Sequence, residues 1–290
     1  MARQRALRVL VATDGSRDAK AAIATTLHFP WAAETRVRII SARRSRAEYR
    51  RSILLSALDR GAEKATENAR RTLSRRWPDV DVEIADKTPV EGILGAAKRF
   101  KADVIVVGWR GHGAVRRLLM GSVSRGVVRG STCAVLVVRR SLRVRTIVVG
   151  VDGSDTAKRA LAFVGRLVPP RGGRVTLVSA VELLTPPSRG RVPGAASIAH
   201  EVKRQNSIRA RAATKELTRA AARLKRMGWP ARTMLVHGEP LRDLLGAVAT
   251  RRAQLLVVGA RGTSGVRYLL LGSVAEGALN HSPVSVLVVR

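Results

Sequence analysis

The chain is written twice. "VATDGS" at 11–16 returns as "GVDGS" at 150–154, which sets Asp14 against Asp152, and "RVRIISA" at 36–42 returns as "RVTLVSA" at 174–180, both 138 residues later. "TPVEGIL" at 88–94 returns as "EPLRDLL" at 239–245, 151 residues later, and "VVGWRGHGAVRRLLMGSVS" at 106–124 returns at the same offset as "VVGARGTSGVRYLLLGSVA" at 257–275. The change in offset marks an insertion in the second copy. The stretch "LLTPPSRGRVPGAAS" at 183–197, rich in proline, glycine and arginine and without period, is its place. Two like copies must fold as two like units, so the sequence divides into domains 1–142 and 143–290, joined through "RRSLRVR" at 139–145.

Each copy alternates strands and helices. In the first, Arg8–Thr13 is an apolar run ending in "DGS", which is turn and helix-cap chemistry, and a helix is expected from Asp18 to about His28. A strand is expected over Arg36–Ser41, a long amphipathic helix over Ala47–Arg76 and a half-exposed strand over Val80–Ala85. Pro89 suits the first turn of a helix running to Phe100. Val104–Val107 and Val135–Val138 are continuous β-branched runs, the pattern of strands covered on both faces. The fold class is therefore α/β, two tandem doubly wound domains, each a five-stranded parallel sheet with four helices. The last strands, Val135–Arg139 and Val286–Arg290, are apolar and would be bare sheet edges unless they pair with each other.

The glycine-rich loop follows the fourth strand, at the carboxyl end where open parallel sheets take ligands. Glycine lets backbone approach a ligand closely, and the "GS" that opens the next helix offers unpaired N–H groups to an anion. Gly108, Gly111, Gly121, Ser122, Val123 and Ser124 form such a cradle, and Gly259, Gly262, Gly272, Ser273 and Val274 repeat it. It is no Walker loop, lacking "GK[ST]", and no dinucleotide fingerprint, which belongs after the first strand.

The spacing G-x2-G-x9-G-S, present twice in register, resembles the ATP-binding motif of the universal stress protein family, and the likeness covers nearly the whole chain. It implies Rossmann-like domains of the adenine nucleotide alpha hydrolase type, an ATP-binding regulatory or stress-response role, and ATP across the strand ends, with Mg²⁺ brought by the nucleotide. It also implies that Asp14 and Asp152 lie near the adenosine. Ala42 and Ala180 then stand where the family commonly has valine beside adenine, and Arg110 and Arg261 stand where a side chain can pair with phosphate. In such proteins the edge strands pair about a pseudo-twofold, here within one chain, with a further homodimer open.

The copies differ at one motif position, Ser124 against Ala275. A hydroxyl given to ribose or phosphate there would make the first site bind about 3- to 10-fold more tightly. His112 occurs in the first loop alone and is assigned no role. The five histidines show no metal spacing and no catalytic triad is visible, so the chain reads as a binder, with slow ATP hydrolysis on the same sites as the alternative. One cysteine excludes an internal disulfide, and no run approaches a membrane span, which leads to the expectation of a cytoplasmic protein. The net charge of +33 divides into +16 over residues 1–140 and +17 over 141–290, so it is no basic tail. It would draw nucleic acid non-specifically at low salt, without the aromatic signatures of an RNA reader.

Overall fold

The computed structural model describes residues 6–43, 53–111, 120–140, 143–185, 195–262 and 271–290. The first half runs β1 (Arg8–Ala12), α1 (Arg17–His28), β2 (Arg36–Arg43), α2 (Ile53–Leu73), β3 (Asp81–Asp86), α3 (Pro89–Phe100), β4 (Val104–Gly108), α4 (Ser122–Gly130) and β5 (Ala134–Val138). The second runs β6 (Thr146–Gly150), α5 (Asp155–Gly165), β7 (Arg174–Val181), α6 (Ala195–Arg226), β8 (Ala231–His237), α7 (Pro240–Thr250), β9 (Leu255–Gly259), α8 (Ser273–His281) and β10 (Ser285–Val289). Among the described residues, no helix is long and apolar enough to cross a membrane.

The local signals act as chemistry requires. Ser16 and Ser154 cap α1 and α5, their side chains accepting from the N–H groups of Ala19 and Ala157. Gly15 and Gly153 take φ of +79° in the turns just before, a conformation that disfavours other residues. Pro89 and Pro240 open α3 and α7. Two boundaries differ from expectation. α2 ends at Leu73, after which the chain tightens into a turn in which the N–H groups of Arg76 and Trp77 both bond to the Leu73 carbonyl, while the Arg76 guanidinium donates to the carbonyls of Leu27, Phe29 and Trp31. β3 begins at Asp81, because the N–H of Val80 bonds to Trp77 and not to the ladder. The expected helix residues 47–52 lie outside the described ones. In the second half, α6 extends back into the inserted stretch as far as Ala195, and Asn206 on it bonds both backbone groups of Leu184.

The ten strands form one sheet in the order β3-β2-β1-β4-β5-β10-β9-β6-β7-β8. Pairing is parallel within each half and antiparallel where β5 meets β10, with Val286 opposite Val137, Leu287 opposite Leu136 and Val288 opposite Val135. The expected pairing of the two last strands is thus present, and it joins the two sheets into one. Alternating residues on each strand feed two apolar layers. One contains Val9, Val11, Leu136 and Leu287, the other Leu10, Ile105, Val135 and Val286, and both layers cross the seam.

Two arginines close the seam reciprocally. Arg139 donates to the carbonyls of Leu279 and Asn280 at the carboxyl end of α8, at 3.3 and 2.7 Å. Arg290 donates to those of Val128 and Arg129 at the carboxyl end of α4, at 2.5 and 2.9 Å. The carboxyl end of a helix carries partial negative charge and unpaired carbonyls, so a guanidinium there satisfies both. Arg139 also lies 3.6 Å from the ring centroid of Trp109, whose indole N–H donates across the seam to Leu279. Burial, with Arg110 and Arg140 nearby, lowers the Arg139 pKa to about 10, which leaves it charged at neutral pH. Replacing Arg139 or Arg290 by alanine leaves two half-buried carbonyls without a partner. Each change should destabilise the protein by about 1–3 kcal/mol in urea unfolding; unchanged midpoints for both would remove the arginines from the account of the seam.

Candidate functional site

Past the carboxyl ends of β6, β7 and β9 lies a cleft of about 360 Å³. Every second-copy residue singled out from the sequence lines it: Asp152, Ala180, Gly259, Arg261, Gly262, Gly272, Ser273 and Val274. Glu182, Pro240 and Leu244 also line it and were not anticipated. Glu182 was legible in principle, since Val178, Ala180 and Glu182 alternate with the period of a strand and share its cleft-facing side.

The cradle at the start of α8 is built from backbone. Gly272 is the N-cap and brings no side chain to bond the first turn, so the leading N–H groups have no cap among the described residues, and Ser273 is exposed beside them. Gly121 and Ser122 repeat this at α4. Gly121 and Gly272 take φ, ψ of −61°, 149° and −75°, 156°, ordinary extended geometry that any residue adopts. Space is tight at Gly121, where a Cβ would stand 3.2 Å from the Cα of Arg110, whereas one on Gly272 would stand 3.4 Å from that of Arg261, an ordinary contact.

The other motif glycines answer to the protein itself. A Cβ on Gly108 would lie 2.6–2.8 Å from backbone atoms of Asp18 and Ala19, and one on Gly259 would strike Thr156. These glycines let β4 and β9 press against the first turns of α1 and α5. A Cβ on Gly111 would sit 2.5 Å from Oδ2 of Asp14, and one on Gly262 would sit 2.9 Å from Oδ2 of Asp152. Each aspartate uses its other oxygen to accept from the N–H two residues on, that of Ser16 at 2.9 Å and of Ser154 at 3.0 Å. The carboxylates therefore brace the turn after the first strand while their second oxygens face the glycine loop.

The two copies differ most around the first loop. Ser124 is buried and donates its hydroxyl to the carbonyl of Gly108 at 2.6 Å, tying α4 to β4. That proton is committed within the protein, so the expected gain in ligand affinity over Ala275, which is equally buried, loses its basis. Arg110 lies with its guanidinium 4.0 Å from the Trp109 ring centroid, stacked on the ring, whereas Arg261 is exposed at the cleft. Ala42 packs toward α3, its Cβ 2.9 Å from where a Cβ on Gly92 would stand. Val123 is half-buried, as is its counterpart Val274. His112 lies outside the described residues.

The model of the universal stress protein family matches residues 6–139 and again 143–290. The chain belongs to that family. Universal stress protein Rv2005c of Mycobacterium tuberculosis is 30% identical over 227 residues, which are 73% of this chain and 69% of that protein. A universal stress protein of Thermus aquaticus is 36% identical over 147 residues, half of this chain and 98% of that one. The crystal structure of a universal stress protein from Archaeoglobus fulgidus superposes with a TM-score of 0.68 at 19% identity, covering 98% of this chain and 96% of that one, a likeness of fold.

In both universal stress domains the glycine at the loop and the aspartate after the first strand are thus one packing unit. Gly111→Ala should destabilise by about 1–3 kcal/mol through overpacking, and Asp14→Ala in the same chain should recover most of the loss. Urea unfolding of the two single variants and the double variant measures the coupling; simple additivity would show that the carboxylate does not dictate the glycine.

Proposed function

We propose that this universal stress protein binds ATP as a regulatory ligand, in the second domain through the cleft described above. The observation that carries the reading is the convergence of Asp152, Ala180, Arg261 and the Gly272–Ser273–Val274 backbone on one cleft of about 360 Å³. That volume is within the range of small-molecule sites, roughly 300–1,000 Å³. Leu244, Val258 and Ala180 supply an apolar wall for a base, and Asp152 and Glu182 are acceptors for amine or hydroxyl groups. The open N–H groups of α8, Ser273 and Arg261 suit the phosphates, and Mg²⁺ would enter bound to them. Asp14, Gly108, Gly111, Gly121, Ser122 and Val123 form the counterpart in the first domain. There Arg110 must leave the face of Trp109 to reach a phosphate, which argues for weaker binding than at the second site.

Calorimetric titration of the full chain with ATP and Mg²⁺ should show binding that AMP reproduces poorly. Gly272→Val puts a branched side chain among the loop backbone atoms and should weaken the second site by roughly tenfold or more, the worth of one charge-assisted hydrogen bond. Neither heat nor a thermal shift at millimolar ATP would overturn the reading. Phosphate release in the same samples separates binding from slow hydrolysis.

A further inference from the structure

A second and larger cleft, of about 690 Å³, lies in the first domain by the amino-terminal ends of β1, β2 and β3, the end of these strands away from that domain's glycine cradle. A five-residue strand spans about 17 Å, so a ligand here would not touch the glycine cradle. Five arginines line this cleft, Arg8, Arg36, Arg38, Arg76 and Arg99, against the carboxylates of Asp79 and Asp81. Glu83 lies behind them and pairs with both Arg38 and Arg99.

Not all the arginines are available. Arg76 is spent on three backbone carbonyls. Arg38 pairs with Asp81 at 2.9 Å and lies 4.6 Å from the Phe100 ring centroid. Its Nε is nonetheless buried without a partner among the described residues. Among the described residues Arg8 makes one long side-chain bond, to the carbonyl of Phe100 at 3.3 Å, and the rest of its five donors have no partner there. Arg36, the register partner of Arg8 on the neighbouring strand, is exposed and has no side-chain partner among the described residues. Thr35 lines the same cleft. It is 3% exposed and its hydroxyl, too, is buried without a partner. A buried polar group left unpaired is costly, so two in one wall call for an explanation. The Arg38 Nε can only donate and the Thr35 hydroxyl can donate as well as accept, so an acceptor is the one kind of group that satisfies both.

The second domain shows that the fold does not need this cluster. The strand registers and the left-handed residues Lys101 and Arg252, which end α3 and α7, align the copies residue by residue. Thr146 then stands for Arg8, Thr176 for Arg38, Thr250 for Arg99 and Gly173 for Thr35, while Asp81 becomes Arg232. The same architecture, in the same chain, is built without the hydroxyl and without three of the guanidinium groups.

We propose that this cleft of the first domain binds a small, multiply charged phosphate anion of the pyrophosphate class. Guanidinium groups match phosphate oxygens in paired hydrogen bonds, and donors drawn from β1, β2 and α3 span more than one phosphate group. Thr35 and the Arg38 Nε are closed off just beneath the cleft wall, and a small shift of that wall on binding would add donors that discriminate this site from the diffuse attraction of a chain carrying +33.

The test is calorimetric titration of the full chain with sodium pyrophosphate at physiological salt, beside a titration with ATP. The variants are Thr35→Val, Thr35→Ser and the double change Arg8→Thr with Arg99→Thr, the last borrowing residues the second domain carries. Pyrophosphate should bind the double variant at least tenfold more weakly and Thr35→Val roughly 3- to 10-fold more weakly, with Thr35→Ser close to the unchanged chain. ATP binding should stay constant throughout. Thr35→Val alters no charge, so its effect is one that general electrostatics does not produce. The proposal is overturned if pyrophosphate does not bind at millimolar concentration or if all variants bind it alike. It is also overturned if Gly272→Val or Gly121→Val abolishes pyrophosphate binding, which would seat the anion in the nucleotide cradles.

Discussion

The antiparallel pairing of β5 with β10 is the constraint on which the molecule is arranged. Each half ends in an apolar edge strand, and a bare edge of that kind is a liability. Pairing removes both at once and makes the sheet palindromic, so that α4 and α8 come together over the seam. The reciprocal contacts of Arg139 and Arg290 follow from that symmetry, as each guanidinium reaches the carboxyl end of the other half's last helix. The ion pair of Arg129 with Glu276 crosses the same seam, at 2.9 Å. Being half-exposed on both sides, it adds little beside two apolar layers that continue through the junction. The helices held this way are the ones whose amino ends form the glycine cradles. The seam therefore fixes the sites as well as the shape.

The glycine motif has three physical causes that its spacing does not distinguish. Gly108 and Gly259 let a strand lie against the first turn of a helix. Gly111 and Gly262 make room for an aspartate carboxylate. Gly121 and Gly272 keep the loop backbone close to the start of the last helix. Gly108 and Gly259 are thus demanded by packing before any ligand arrives, while Gly111 and Gly262 meet only the tip of a carboxylate side chain. The result is a cleft held ready by strand ends, a braced turn and a helix start, which lowers the ordering a ligand would otherwise impose.

The halves share this frame and diverge in what surrounds it. In the first, Trp109 fills the place of Ala260, anchors across the seam and carries Arg110 and Arg139 on its ring. Ser124 ties α4 to β4 where the second half has only a methyl group. Arg8, Arg38, Arg99 and Thr35 at the amino ends of β1–β3 likewise have no counterpart of their kind in the second half. Duplication keeps the sheet and frees one copy to vary around it, so the chain holds two non-equivalent faces on one architecture.

The sequence by itself determined the repeat, the order of strands and helices, the pairing of the last strands and eight of the residues that line the second domain's nucleotide-type cleft. Each of these rests on periodicity, caps or spacing along the chain, which local chemistry enforces. Ala180 and Glu182 share a cleft because strands alternate, and Pro89 and Pro240 start helices because proline has no N–H to lose there. Tertiary structure decided the rest. Only the folded chain places Asp14 against Gly111, turns the Ser124 hydroxyl inward to Gly108, stacks Arg110 on Trp109 and leaves Thr35 buried without a partner. These are contacts between residues far apart in sequence or side-chain orientations set by packing, and no local pattern carries that information.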